Sequence, residues 1–171
     1  MSGGLRARGL EAPPVLSGVD VDLADGELVV VTGDDGVGTS MLLRALAAAW
    51  GERAVLLDQT PGTEWVDGDV AGDLADPALL TALGMRSPPE RELWMLSAGE
   101  RQRVRLARVL AAPPEVALLL DEPLGHLDAL GRRTVLKWLR GRTALVVAKG
   151  DPAVEGAADR VLLLSDGQLS V

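Results

Sequence analysis

The sequence predicts an α/β fold in which helices flank a mostly parallel sheet, with a small antiparallel β-layer at the N-terminus. Short apolar runs alternate with stretches of helical periodicity along the chain. Some runs, such as the one in "VALLLDEP" at 116–123, are apolar without alternation, which is typical of strands buried on both faces of a sheet. A glycine-rich turn joins another run, "VVVT" at 29–32, to a helical pattern, which predicts a strand–loop–helix unit.

The same patterns place each element in order. Strands at 5–10 and 18–23 form the N-terminal layer, and Asp25-Gly26 predicts a hairpin turn into a strand at 27–32. Helical periodicity predicts three helices, at about 38–50, 99–112 and 128–139, and one or two short helical patches within 60–95, such as 76–83. The remaining strands are predicted at 53–58, 116–123, 143–148 and as a closing pair within 160–171. No repeat or linker interrupts this order, so we expect a single domain over 1–171.

Composition and charge narrow the possible functions. The chain has 171 residues, 47% of them hydrophobic, which is enough for one compact core. It has no cysteine, no apolar run of membrane-spanning length, and an N-terminus unlike a signal peptide, so we expect a cytoplasmic protein. The net charge of −8 argues against nucleic acid as the partner. Lysine is rare beside arginine, as expected from a GC-rich genome.

The stretch "VVVTGDDGVGTSMLLRAL" at 29–46 has the layout of a phosphate-binding loop. Gly33, Gly36 and Gly38 would let backbone N–H groups converge on phosphate oxygens at the start of a helix. Ser40 can offer its hydroxyl to Mg²⁺. Such turns are common, so this stretch alone is a weak indication of nucleotide binding.

Further motifs follow the loop in a fixed order. They are "LLDQT" with Gln59, "LSAGE" at 96–100, "VALLLDEP" with Asp121 and Glu122, and "LGHLD" at 124–128. Asp121 can hold a metal at a strand end, and Glu122 can accept a proton from an attacking water. The alternative is that these two acids only cap a helix. The combination of motifs favours the chemical role.

The set resembles the ATPase subunit of ATP-binding cassette (ABC) transporters along nearly the whole chain. The loop at 33–40 looks like the Walker A motif, "LSAGE" like the signature, "VALLLDEP" like Walker B and "LGHLD" like the D-loop. The resemblance implies a P-loop NTPase-like fold with a core at 1–59 and 112–171. It also implies a helical subdomain at 60–111, shortened because 36 residues separate Gln59 from Leu96.

The same resemblance implies ATP and Mg²⁺ as cofactors, bound between two subunits in a head-to-tail homo- or heterodimer. Mg²⁺ would be held by Ser40, Gln59 and Asp121. Catalysis would involve Glu122, Gln59 and Lys149. The residues implied to bind the chain's own ATP are those of the loop: Gly33, Asp34, Asp35, Gly36, Val37, Gly38, Thr39 and Ser40. The residues implied to contact the nucleotide of a second subunit are those of the signature: Ser97, Ala98, Gly99 and Glu100. A membrane permease is the expected second partner, which would place the chain at the inner face of the cell membrane.

The sequence departs from the family pattern in its own nucleotide pocket. Thr39 replaces the lysine that bridges the β- and γ-phosphates, a contact worth roughly 1.5–3 kcal/mol. Asp34 and Asp35 add negative charge where phosphates would lie, and Lys149 stands at the position of the switch histidine. No aromatic residue follows the first strand to stack on adenine.

These departures leave several hypotheses open. The chain would form one half of an asymmetric pair, supplying "LSAGE" to a partner's site and hydrolysing ATP weakly alone. Lys149 would either replace the missing lysine or pair with Glu122 or Asp121 and seal the pocket. The alternative functions are a non-hydrolysing scaffold and a non-transport ABC protein. We expect His126 to be an interface or solvent residue, and the arginines of the 101–108 helix to form a solvated face.

Overall fold

The computed structural model of the chain describes residues 3–59, 77–85 and 95–171. Within these ranges the strands are β1 (Leu5–Ala12), β2 (Leu16–Leu23), β3 (Leu28–Thr32), β4 (Ala54–Leu57), β5 (Ala117–Asp121), β6 (Ala144–Val147), β7 (Arg160–Ser165) and β8 (Gln168–Ser170). The helices are α1 (Thr39–Trp50), α2 (Pro77–Ala82), α3 (Ala98–Leu110), α4 (Ala129–Leu139) and α5 (Pro152–Glu155), with a short 3₁₀ turn at Gly51–Arg53.

The predicted fold class is confirmed. The described strands form a six-stranded sheet in the order β4-β5-β6-β3-β7-β8, parallel except for β8, and a separate antiparallel pair of β1 and β2. The register pairs Val31 with Val147 and Asp121 with Val147, so β3, β5 and β6 end at the same edge. The segments after these strands are therefore brought together, and these segments carry the predicted chemistry.

The core has two layers because the central strands are buried on both faces. On one face, Val29 and Val31 pack with Leu42, Leu43 of α1 and with the β1–β2 layer. On the other face, Val30 packs with residues of α3 and α4. This arrangement explains the unbroken apolar runs, since both sides of each strand meet helices or the small sheet.

The hairpin predicted at Asp25-Gly26 is wrong. A turn does occur there, with Gly26 at φ 75° and the Glu27 N–H donating to the carbonyl of Ala24. However, β2 pairs with β1, whereas β3 enters the central sheet between β6 and β7. The turn therefore links two sheets. A turn motif specifies the local reversal of the chain but not the strand that each flanking segment pairs with.

The boundaries of the helical subdomain at 60–111 stay a prediction, because residues 60–76 and 86–94 lie outside the described ranges. Of its described part, α3 buries Val104 and Leu106 in the same cluster as Leu118 and Leu120 of β5. In the described part of the chain no helix is both long and apolar enough to cross a membrane.

Candidate functional site

The glycine loop (residues 33–40) follows β3 and has the backbone conformation that its glycines permit. Gly36 and Gly38 have φ of 80° and 108°, a region that side chains rarely adopt. A Cβ atom at Gly33 would lie 2.7 Å from the carbonyl oxygen of Leu164 and 2.8 Å from Cγ1 of Val37. The loop is thus closely packed on β7, which fixes its path towards α1.

The start of α1 differs from the starts of α3, α4 and α5. Its N-cap, Gly38, makes no side-chain hydrogen bond to the first turn, and no acidic residue lies in that turn. By contrast, α3, α4 and α5 begin with Ser97, Asp128 and Asp151, whose side chains accept hydrogen bonds from the first-turn N–H groups. Within the described ranges, therefore, no capping side chain competes with a phosphate for the amide groups at the start of α1.

A pair of oxygen ligands lies beside this helix start. The Ser40 hydroxyl donates a 2.7 Å hydrogen bond to Oδ2 of Asp121 at the end of β5. Asp121 is 2% exposed, and this burial raises the pKa of its carboxyl group, while the hydrogen bond from Ser40 acts in the opposite direction. A hydroxyl and a carboxylate fit Mg²⁺, which takes few protein ligands and completes its shell with water and phosphate oxygens. Among the described residues no cluster of three or more His, Cys, Asp or Glu side chains forms a self-sufficient metal site.

Gln59, the third predicted metal ligand, is exposed in the segment after β4. Its neighbour Asp58 is anchored, because Arg44 donates to both carboxylate oxygens at 2.7 and 3.1 Å. Arg105 of α3 donates to the backbone carbonyl of Asp58. These contacts hold the start of the Gln59 segment against α1 and α3.

Lys149 connects the glycine loop to the end of β5. Its ammonium nitrogen lies 2.9 Å from Oε1 of Glu122 and is hydrogen-bonded to Oδ1 of Asp35. The hydrogen bond from Lys149 lowers the pKa of the Asp35 carboxyl group, and the two carboxylates raise the pKa of Lys149 well above its ordinary range. Glu122 has φ 45°, unusual for a residue with a side chain. A pocket of about 120 Å³ opens beside this ion pair, lined by Glu122, Leu124, Arg132, Ala148, Lys149 and Asp151 among others.

The "LSAGE" motif forms the start of α3. The Ser97 hydroxyl accepts from the Glu100 N–H at 3.3 Å, and the Glu100 carboxylate accepts from the Ser97 N–H at 2.9 Å. Ser97 and Ala98 are exposed, and a Cβ at Gly99 would meet no atom within 4 Å. The motif therefore presents an open surface on a capped helix.

Comparisons with known proteins support what these motifs imply. The family model described as "ABC transporter" matches residues 75–125. An aliphatic sulfonates import ATP-binding protein, SsuB 2 of Nocardia farcinica (strain IFM 10152), is 39% identical over 191 residues, covering 95% of this chain and 79% of the relative. The chain belongs to the ATP-binding subunits of ABC transporters.

Other relatives of this ABC subunit agree. The hemin import ATP-binding protein HmuV of Streptomyces coelicolor is 34% identical, covering 99% of this chain and 75% of the relative. A solved structure described as the ATP-binding subunit of an ABC transporter superposes with a TM-score of 0.83 at 18% identity, covering 99% of this chain and 89% of that one. The structural likeness concerns the fold.

Two features of this ABC subunit are not predicted by its sequence motifs. The prediction that the arginines of α3 form a solvated face is wrong: they are partly buried, and Arg101, Arg103 and Arg105 donate to the carbonyl groups of Leu96, His126 and Asp58. The Arg-rich helix thus links the segments that carry the other motifs, and His126 is exposed as expected.

The second feature is the bond between Lys149 and Asp35. The sequence suggests a pairing of Lys149 with Glu122 or Asp121, and the structure places it on Glu122 and on Asp35 of the glycine loop. The rarity of lysine is the sequence feature that points to Lys149. The contact of Lys149 with Asp35 depends on how the ends of β3 and β6 lie in the sheet, which the sequence motifs do not specify.

Proposed function

We propose that this chain is the ATP-binding subunit of an ABC import system, that it works in a dimer beside a membrane permease, and that its own nucleotide pocket is weakened. In this proposal its signature motif serves the ATP site of the partner subunit. Relatives described as import ATP-binding proteins support the import role. The permease would hold the dimer at the inner face of the cell membrane.

The charge around the glycine loop is the observation that carries the proposal. Four carboxylates, those of Asp34, Asp35, Asp121 and Glu122, face or flank the site, and the single ammonium group of Lys149 is already paired with two of them. Thr39, at the start of α1, is 6% exposed and brings no charge. A triphosphate would therefore meet backbone amides but little positive charge, and we expect weak binding that depends on Mg²⁺.

The signature side of the molecule contrasts with this pocket. The capping box fixes Ser97 at the start of α3, while Ala98 and Gly99 leave open space in front of the helix. This open motif on a capped helix supports a chain that keeps the part serving a partner.

The residues that remain in the pocket define what it could still do. Ser40, Asp121 and Gln59 would hold Mg²⁺, which would neutralise charge on the phosphates when bound. Glu122 would accept a proton from the attacking water, although Lys149 already contacts one of its carboxylate oxygens. We therefore propose weak ATP hydrolysis by the chain alone.

Calorimetric titration with ATP and Mg²⁺ tests the weakened pocket. Thr39→Lys restores a cation at the start of α1, and the added charge-assisted hydrogen bond should tighten binding by roughly 10- to 100-fold. Thr39→Ser is the matched control, since it keeps a hydroxyl and adds no charge, and it should bind like the native chain. Micromolar binding by the native chain, unchanged in Thr39→Lys, would contradict the proposal.

A further inference from the structure

We propose that Lys149 is the phosphate-binding cation of this pocket and that Asp35 is an internal competitor that occupies it until a phosphate arrives. The inference rests on the proposed weak nucleotide site and specifies how that site is regulated. The ligand class is the terminal phosphate of a nucleoside triphosphate with Mg²⁺.

The position of Lys149 supports a contact with phosphate. Its ammonium group contacts Asp35 in the glycine loop and Glu122, the residue that follows Asp121 of the Ser40–Asp121 pair. A phosphate seated on the loop amides and on a metal held by Ser40 and Asp121 would come within reach of this ammonium group. Thr39, on the α1 side of the pocket, carries no positive charge. Among the described residues, Lys149 is the cation that contacts both the glycine loop and Glu122.

The exposure of the three side chains supports exchange of partners. The Asp35 side chain is 89% exposed, against 32% for Glu122 and 41% for Lys149. Breaking an ion pair with a carboxylate so exposed to water costs little free energy, because exposed ion pairs contribute about 0–1 kcal/mol to stability. A phosphate dianion offers more charge and more acceptor oxygens, so it should displace Asp35 from Lys149.

Asp34 provides a matched control for Asp35. It is the adjacent loop residue, carries the same charge and is also exposed. The described contacts of the Lys149 ammonium group involve Asp35 and Glu122, not Asp34. Removing either charge reduces the general repulsion of an anion, but only removal of Asp35 releases Lys149.

The test is calorimetric titration of the full chain with inorganic tripolyphosphate and Mg²⁺, a probe that has no base or sugar. Asp35→Asn should bind about fivefold more tightly than the native chain, and Asp34→Asn should change affinity by less than about twofold. Lys149→Gln, introduced into Asp35→Asn, should lower affinity by roughly 10-fold or more and abolish the gain. Urea unfolding of each variant checks that the fold is retained.

Three outcomes would overturn the inference. Equal gains for Asp35→Asn and Asp34→Asn would show a general charge effect without competition. Tighter binding by the double variant Asp35→Asn/Lys149→Gln than by Asp35→Asn would mean that Lys149 seals the pocket. Absence of binding by Asp35→Asn at millimolar probe would mean that the released lysine does not create a phosphate site. The proposed function is judged separately, by the ATP titration of Thr39→Lys and by the role of the signature motif.

Discussion

Gly38 and Gly99 both belong to motifs that are predicted to bind nucleotide, yet their surroundings differ. Gly38 has φ 108°, and a Cβ there would lie 2.9 Å from Cβ of Val15 in the β1–β2 turn. Gly99 lies in the first turn of α3, and an added Cβ would meet nothing within 4 Å. At the scale of the single residue, one glycine is required by the fold and the other is not.

This difference predicts opposite effects on stability. Gly38→Ala should lower the free energy of unfolding by roughly 1–3 kcal/mol, through backbone strain and the clash with Val15. Gly99→Ala should raise it by up to about 1 kcal/mol, because alanine restricts the unfolded chain and favours the helix. Urea unfolding followed by tryptophan fluorescence measures both. Equal losses in the two variants would show that the local environments described for these glycines do not control stability.

Single residues also show how far the sequence could predict the site. Ser40 and Asp121 are predicted to share a metal, and they lie in hydrogen-bond contact because strand ends of a parallel sheet meet at one edge. The partner of Lys149 in the loop is not predictable in this way. Asp35 is 114 residues away along the chain, and an ion pair between flexible, exposed side chains leaves no pattern in the sequence.

At the scale of the element, α3 begins with a motif whose residues cap the helix. Ser97 and Glu100 form a capping box, and the same residues belong to the signature. Ser97→Ala should lower the free energy of unfolding by about 1 kcal/mol, since the Glu100 N–H loses its acceptor. Ser97→Thr keeps the acceptor and should cost much less, as measured by urea unfolding. If the two variants were equally stable, the cap would contribute nothing measurable.

Most elements were predictable because their patterns are local. The helix predicted at 38–50 spans Thr39–Trp50, and the strand predicted at 143–148 spans Ala144–Val147. The contacts of Arg103 and Arg105 in α3 were not predictable, because their carbonyl partners come from the D-loop and the Gln59 segment. Periodicity identifies the apolar face of a helix, but it does not show which loops cover the charged face.

At the scale of the whole molecule, the glycine loop and the signature motif lie on different parts of one chain. The glycine loop precedes α1, whereas the signature starts α3, on the opposite face of the central sheet. Each can therefore be altered without the other. In a head-to-tail dimer each ATP site would combine the loop of one chain with the signature of the other. Mixed dimers of variants can then separate the two contributions.

The mixing experiment uses two chains. The acceptor is Thr39→Lys/Ser97→Ala, which has a repaired loop and an impaired signature. The donor of the signature is the native chain. Neither chain should hydrolyse ATP well alone. The ATPase rate of their mixture should exceed the sum of the two separate rates by about tenfold or more, because the donor's Ser97 would act on the acceptor's nucleotide. Ser97→Ala as the donor should abolish the gain, and Thr39→Lys alone is the positive reference. If Thr39→Lys hydrolyses ATP while the mixture stays at the sum of its parts, the native signature does not serve a partner's site. A gain that depends on Ser97 of the donor would instead assign this chain its place in the dimer, as the subunit that completes another chain's ATP site.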